Sequence, residues 1–198
     1  TGVIGRVVRH NGKLGPKVTV KARLVISACG AIHTPALLDR SGYRSCSKQL
    51  GQNLSLHPNG KLIALFDEDV RGWEGVHQAF QVREFQDEGF LFAAVNVPPA
   101  ILTMGMHQYG DELANIMSDY SRMLIAGILV EDTALGRVVI DPLGNPTALY
   151  QLNDFDASKL VRGTSLLSEL LFDAGARKIF LPFGTQTELN SPDDIPKL

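Results

Sequence analysis

The sequence predicts an α+β chain: a short α/β piece first, then an antiparallel sheet of about six strands with flanking helices. Three features carry this. A β-branched apolar run, Leu24-Val25-Ile26, passes through the small residues Ala28, Gly30 and Ala31 into a helix start at Thr34-Pro35. Beyond residue 60, short segments rich in β-branched and aromatic residues recur between Gly, Pro, Asn and Asp clusters. Two apolar seams of helical spacing interrupt those segments.

In order, residues 1–8 alternate loosely, with Val3, Ile4, Val7 and Val8 apolar, and read as a strand. Asn11-Gly12 is a type I′ hairpin signal, so residues 18–23 pair back. Residues 24–26 read as a strand buried on both faces. Thr34 is the expected N-cap, Pro35 the first helical residue and Ser41-Gly42 the stop. Buried strand, small-residue turn and helix N-terminus together are how α/β proteins hold a nucleotide phosphate or ribose. Small residues at a strand end also serve plain helix–strand packing, and the turn alone leaves both readings open.

The character changes at His57-Pro58-Asn59-Gly60. Strands are expected at 62–66, 76–85, 90–97, 123–130, 137–140, 147–152 and 177–181. Val76, Phe80 and Val82 alternate with His77, Gln81 and Arg83, which predicts one buried and one wet face, hence antiparallel pairing. Residues 141–146 form a hairpin loop. Pro98-Pro99 opens a helical stretch, and Asp111 caps a helix with Leu113, Ile116, Met117 and Tyr120 on one face. A second helix begins near Asp154 or Asp156, presents Leu160, Thr164, Leu167 and Leu171, and stops at Gly175. Residues 184–198 are polar and read as loop. The expected divisions are 1–60, 61–182 and 183–198.

Two stretches carry a resemblance. Ala28-Cys29-Gly30-Ala31-Ile32-His33-Thr34-Pro35-Ala36-Leu37-Leu38, followed by Ser41-Gly42, resembles a signature of the glucose–methanol–choline (GMC) family of flavin oxidoreductases. The shared features are a Gly with a small neighbour, Ser/Thr-Pro, an aliphatic pair and Ser-Gly. Tyr43-Arg44 departs from the aliphatic-Gly with which that family usually continues. Leu50-Gly51-Gln52-Asn53-Leu54-Ser55-Leu56-His57-Pro58 is similar to the family's Leu-Gly-x-Asn-Leu-x-x-His-Pro. Its Leu-x-Leu-His-Pro form is nearest the long-chain alcohol oxidase and sterol oxidase branches.

The resemblance implies FAD as cofactor, with Ala28, Gly30 and Ala31 against its ADP portion. It implies that 1–60 belongs to an FAD-binding domain, that 61–182 is a substrate domain with helices on one face of its sheet, and that 183–198 returns toward the first. The implied reaction is oxidation of a small-molecule alcohol by hydride transfer to flavin. The abundance of Phe, Met and Leu favours an apolar substrate. The family's Gly-x-Gly-x-x-Gly is expected before Thr1 and its catalytic His, with a His or Asn partner, beyond Leu198. No catalytic residue is therefore assigned within the chain, which starts at Thr rather than Met and reads as an internal segment of something longer.

Composition narrows the rest. The chain has 198 residues, 44% hydrophobic and 20% charged, which is ordinary globular composition. Net charge is −2, which speaks against a nucleic-acid partner. No signal peptide or spanning-length apolar run is present, and membrane association is left undecided. Cys29, placed in a buried strand-end, is not expected to pair with Cys46; two free thiols suit a reducing, cytoplasmic compartment. No His-x-x-x-His or Cys-x-x-Cys spacing suggests a metal site. Of the five histidines, His57 in its motif reads as a structural hydrogen-bonding residue. The competing reading is a non-catalytic module that binds an apolar ligand between Phe80, Phe90, Phe92, Met104 and Met106.

Overall fold

The computed structural model describes residues 1–198. In chain order the elements are β1 (Gly2–Val8), β2 (Leu14–Lys21), α1 (Gly30–Arg40), β3 (Gln52–Leu54), β4 (Asn59–Leu65), β5 (Gln81–Val82), β6 (Phe90–Val95), α2 (Pro99–Leu102), α3 (Gly110–Ser118), β7 (Met123–Val130), β8 (Gly136–Ile140), β9 (Pro146–Leu149), α4 (Asp154–Asp173), β10 (Lys178–Phe180) and β11 (Glu188–Leu189). They divide into two units: Thr1–Leu54 with Gly136–Leu149, and Ser55–Leu135 with Tyr150–Leu198.

The second unit holds a six-stranded sheet in the order β11-β10-β4-β7-β6-β5, antiparallel throughout. This is the sheet the sequence predicts, with two differences in membership. The 137–149 hairpin lies outside it, and β10 and β11 extend it instead. Its centre also corrects the expectation of one wet face. Ile63, Leu65, Met123 and Ile125 pack with Leu102 and Phe180, and with Ile116, Met117 and Tyr120 around α3. The alternate residues Leu62, Ala64, Ala126, Ile128 and Val130 pack with Leu167 and Leu171 of α4. Apolar residues at both odd and even positions of β4 and β7 demand cover on both faces. Helices therefore lie on both sides of the sheet, not on one.

Helix α4 shows why its sequence forms a helix there. Asn153 caps it, its side chain accepting from the Asp156 N–H at 2.7 Å. Thr164, Leu167, Ser168 and Leu171 are buried along one stripe. A Cβ at Gly163 would stand 2.7 Å from Ile128 Cγ2, so the glycine lets helix and sheet approach. Gly175, at φ 99°, ends the helix as expected. Residues 184–198 are not loose loop. Leu189 and Ile195 enter the core, and Ser191 with Asp194 forms a capping box on the closing 3-10 turn.

Residues 76–85 form far less strand than expected. Only Gln81–Val82 pairs with β6; Val76 and Phe80 are exposed, and Gln78 has positive φ. Positive φ at a non-glycine residue ends an extended run.

In the first unit, β1 and β2 form the predicted hairpin, with Gly12 at φ 75° in its turn. Strands β3, β8 and β9 make a three-stranded antiparallel sheet. Helix α1 packs against β8 and β9 and buries Pro35 and Ala36. It ends as predicted: Gly42 takes φ 77°, and the Tyr43 N–H reaches Leu38 O at 3.0 Å. Leu24, Val25 and Ile26, expected as a buried strand, are neither strand nor buried. A strand needs a ladder partner and, for burial on both faces, two covering layers. No segment of this chain pairs with these residues, and every strand pair in this unit is antiparallel.

Candidate functional site

The small-residue turn lies where the sequence puts it, but its helix begins earlier. Helix α1 starts at Gly30, with Cys29 as N-cap, so Thr34 is not the cap and Pro35 lies inside the helix. Gly30 carries φ 77°, which a residue with a Cβ adopts only under strain. That Cβ would meet nothing within 4 Å, so Gly30 is needed for backbone conformation, not for packing against a strand. Ala28, Gly30 and Ala31 are all exposed, as is Cys29, which forms no disulfide with Cys46. No side chain caps the helix. Its first-turn N–H groups therefore have no partner within the helix or at the cap, and Pro35 withholds none of them.

The second motif is a tight corner. Gly51 has φ 76° and a virtual Cβ 2.7 Å from Val138 O, while its own carbonyl accepts from the Val138 N–H at 2.6 Å. Asn53 also takes positive φ, a conformation asparagine tolerates better than most, and its side chain donates to Gln49 Oε1 at 2.7 Å. Leu54 is buried. His57 has no hydrogen-bond partner and is exposed, against the expectation of a structural hydrogen-bonding residue.

In the second unit, Ser55, Leu56 and His57 border an open cavity of about 410 Å³, together with Arg83, Gln86 and Asp132. The backbone here is fixed by two carboxylates. Asp132 accepts from Ser55 Oγ at 2.7 Å, the Leu56 N–H at 2.9 Å and the Tyr150 hydroxyl at 2.8 Å. Burial pushes its pKa up, but the Leu56, Ser55 and Tyr150 donors outweigh this and hold it below the usual carboxylate range. Tyr150, desolvated and bonded to that carboxylate, is pushed up to about 12. Asp156 is fully buried; it accepts from the Thr133 N–H at 2.7 Å, the Ala134 N–H at 3.0 Å and Lys159 Nζ at 3.2 Å. Burial raises its pKa, the Thr133 and Ala134 amides and Lys159 lower it, and the net shift is down.

Nothing in the sequence pattern marks Asp132 or Tyr150, and Asp156 stands out only as a helix start. One signal was available: Asn153 followed three residues later by Asp156, before an apolar seam, has the spacing of a helix N-terminus whose acid faces back into the preceding loop.

No group of three or more His, Cys, Asp or Glu side chains is placed to hold a metal ion, and no helix is long and apolar enough to cross a membrane. The five residues expected to line an apolar pocket do not come together; only Phe90 and Phe92 touch, with ring centroids 5.8 Å apart. Phe90 and Phe92 lie in the core on the α4 side, Met106 packs with the opposite cluster, and Phe80 and Met104 are exposed.

Comparison with known proteins bears on the whole chain. Residues 2–59 match the family model described as GMC oxidoreductase. An uncharacterized GMC-type oxidoreductase of Mycobacterium tuberculosis is 36% identical over 173 residues, covering 87% of this chain and 27% of that protein. One of Sinorhizobium fredii is 31% identical over 194 residues, 98% of this chain and 38% of that protein. A long-chain-alcohol oxidase of Arabidopsis thaliana is 27% identical over 175 residues, 81% of this chain and 23% of that protein. The chain thus spans well under half the length of the curated relatives it matches. The family model on the first motif and the GMC-type relatives along nearly the full chain show that it belongs to the GMC oxidoreductase family.

Proposed function

We propose that this chain is part of an FAD-dependent oxidoreductase that oxidises the alcohol group of an apolar small-molecule substrate. Ala28, Gly30 and Ala31 are the residues assigned to the ADP portion of FAD, and residues 61–182 to substrate selection. The observation that carries the cofactor reading is the start of α1: exposed, uncapped, and glycine at a positive φ with open space where a side chain would stand. Small side chains leave the backbone accessible, and first-turn N–H groups with the positive end of the helix dipole suit a pyrophosphate or ribose oxygen. When bound, FAD supplies the acceptor for the hydride. An apolar substrate is supported by the second motif's form and by the relative named a long-chain-alcohol oxidase.

The test is Ala31→Phe in the protein that carries this chain. Ala31 is exposed, so the fold tolerates the larger ring. Flavin retained through gel filtration is expected to fall about tenfold or more, with far-UV circular dichroism unchanged. Full flavin content would remove Ala31 from the cofactor site. In a separate arm, turnover of long-chain primary alcohols is expected to exceed that of sugars; the reverse would remove the apolar substrate while leaving the cofactor reading standing.

A further inference from the structure

The residues between β4 and β6 are seated by several distinct contacts. The Val70 and Arg71 N–H groups both donate to Ser121 O at 2.8 Å. The Trp73 ring stacks on Tyr120, centroids 5.4 Å apart and planes within 8°. The Tyr120 hydroxyl is 3.0 Å from Asn96 Oδ1 and 2.8 Å from Val97 O. The Asn96 N–H, in turn, donates to His77 Nδ1 at 3.3 Å. Arg71, Gly75 and Gln78 hold φ values of 47°, 94° and 54°. Such conformations persist where surrounding contacts over-determine them.

The His77 contact stands in for a missing strand. Strand β5 pairs with β6 only at Phe92 and Ala93. Past that point the outer edge of the sheet has no neighbour, and an imidazole nitrogen takes the Asn96 amide. Beneath the segment is a small cavity, about 70 Å³, floored by Val95, Met123 and Ile125. Met123 and Ile125 belong to the core cluster of that face.

We propose that residues 72–78 form a pH-sensitive strap, latched by His77 and released when its imidazole is protonated. Nδ1 accepts a hydrogen bond only while it carries no proton; in the imidazolium both ring nitrogens are donors, and the Asn96 N–H then faces another N–H. Imidazole changes charge between about pH 8 and 5. The other charged groups of this neighbourhood are paired with one another. Arg71 pairs with Asp69 at 3.2 Å and with Glu74 at 3.7 Å, and Asp69 also receives Ser121 and Arg122. Burial raises the Tyr120 phenol above its ordinary value, so it stays neutral. Among the residues around the small cavity, His77 is the only ionisable one. Release withdraws Trp73 from Tyr120 and opens the Val95, Met123 and Ile125 floor to solvent.

The emission lost on Trp73→Phe in the protein that carries this chain isolates Trp73, which reports the strap directly. From about pH 8 to 5 that emission is expected to shift to the red in one step, with far-UV circular dichroism unchanged. His77→Asn keeps an acceptor oxygen near the Nδ1 position without a titratable group, and its emission is expected to stay at the latched value throughout. His77→Ala is expected to show the released emission at both ends. A flat wild-type profile, or a step that survives in His77→Asn, would overturn the proposal. Should His77→Ala lose its fold, the wild type and His77→Asn still decide.

Discussion

The two units use similar strand-forming sequence and end up in opposite conditions. In the second, Leu62, Ile128, Ile179 and Leu189 are fully buried between α4 and a sheet whose other face is also covered. In the first, Val3, Ile4, Val8, Leu14, Val20, Leu24 and Ile26 are all exposed, and the buried apolar side chains are Pro35, Ala36, Leu54 and Val138. Valines and isoleucines form strands in both places. What separates the units is a second layer: α4, α2 and α3 bracket one sheet, and only α1 lies on the other unit's strands, at β8 and β9. Local β propensity makes strands, while stability comes from what covers them.

That contrast can be tested by substitution, largest expected effect first. Asp156→Ala strips a buried carboxylate from two backbone N–H groups and Lys159, and should cost about 3–5 kcal/mol in denaturant unfolding of the second unit. A loss under about 1 kcal/mol would mean the loop is held by packing alone. Ile128→Ala, in the same unit, should cost about 2–5 kcal/mol by the same measurement. Its counterpart Ile4→Ala, on the exposed hairpin, should stay within about 0.5 kcal/mol; equal costs would erase the distinction between the units.

A smaller effect is expected at the Asp132 clamp. Tyr150→Phe removes one donor to a carboxylate that keeps two others, and should cost about 1 kcal/mol, with faster amide exchange at Leu56. The two clamping acids also set a pH dependence. Both Asp132 and Asp156 have folded-state pKa values below their unfolded ones. Their stabilisation is therefore full above the unfolded carboxylate range, near pH 4, and is lost as pH falls through the folded values. Acid unfolding of the second unit should be shallower in Asp132→Asn than in the wild type.

Effects of similar size are expected in the first unit's turns, and they separate two reasons for glycine. Gly12→Ala meets only the cost of positive φ, about 1 kcal/mol, because its virtual Cβ has no neighbour. Gly51→Ala adds a 2.7 Å approach to Val138 O and should exceed it, read as a larger drop in the first unit's melting temperature. Equal drops would show that the Val138 carbonyl gives way.

The sequence alone determined the features that are local. The Asn11-Gly12 hairpin, the 123–130 strand, the α4 seam from Leu160 to Leu171 with its Gly175 stop, and the GMC motifs are written in neighbouring residues, where spacing and turn chemistry act directly. Tertiary structure alone decided what depends on a distant partner. Residues 24–26 carry a buried-strand pattern but find no ladder neighbour, so pattern did not become strand. The run 76–85 alternates correctly, yet only two residues pair, and His77 takes a bond a strand would have made. The start of α1 shifted to Gly30 because a glycine at φ 77° begins a helix that Pro35 tolerates inside it. The Asp132 clamp ties Ser55 and Leu56 to a carboxylate 76 or more positions away. Contact across that separation follows from how β4, β7 and α4 pack, and no residue near Asp132 in sequence announces it.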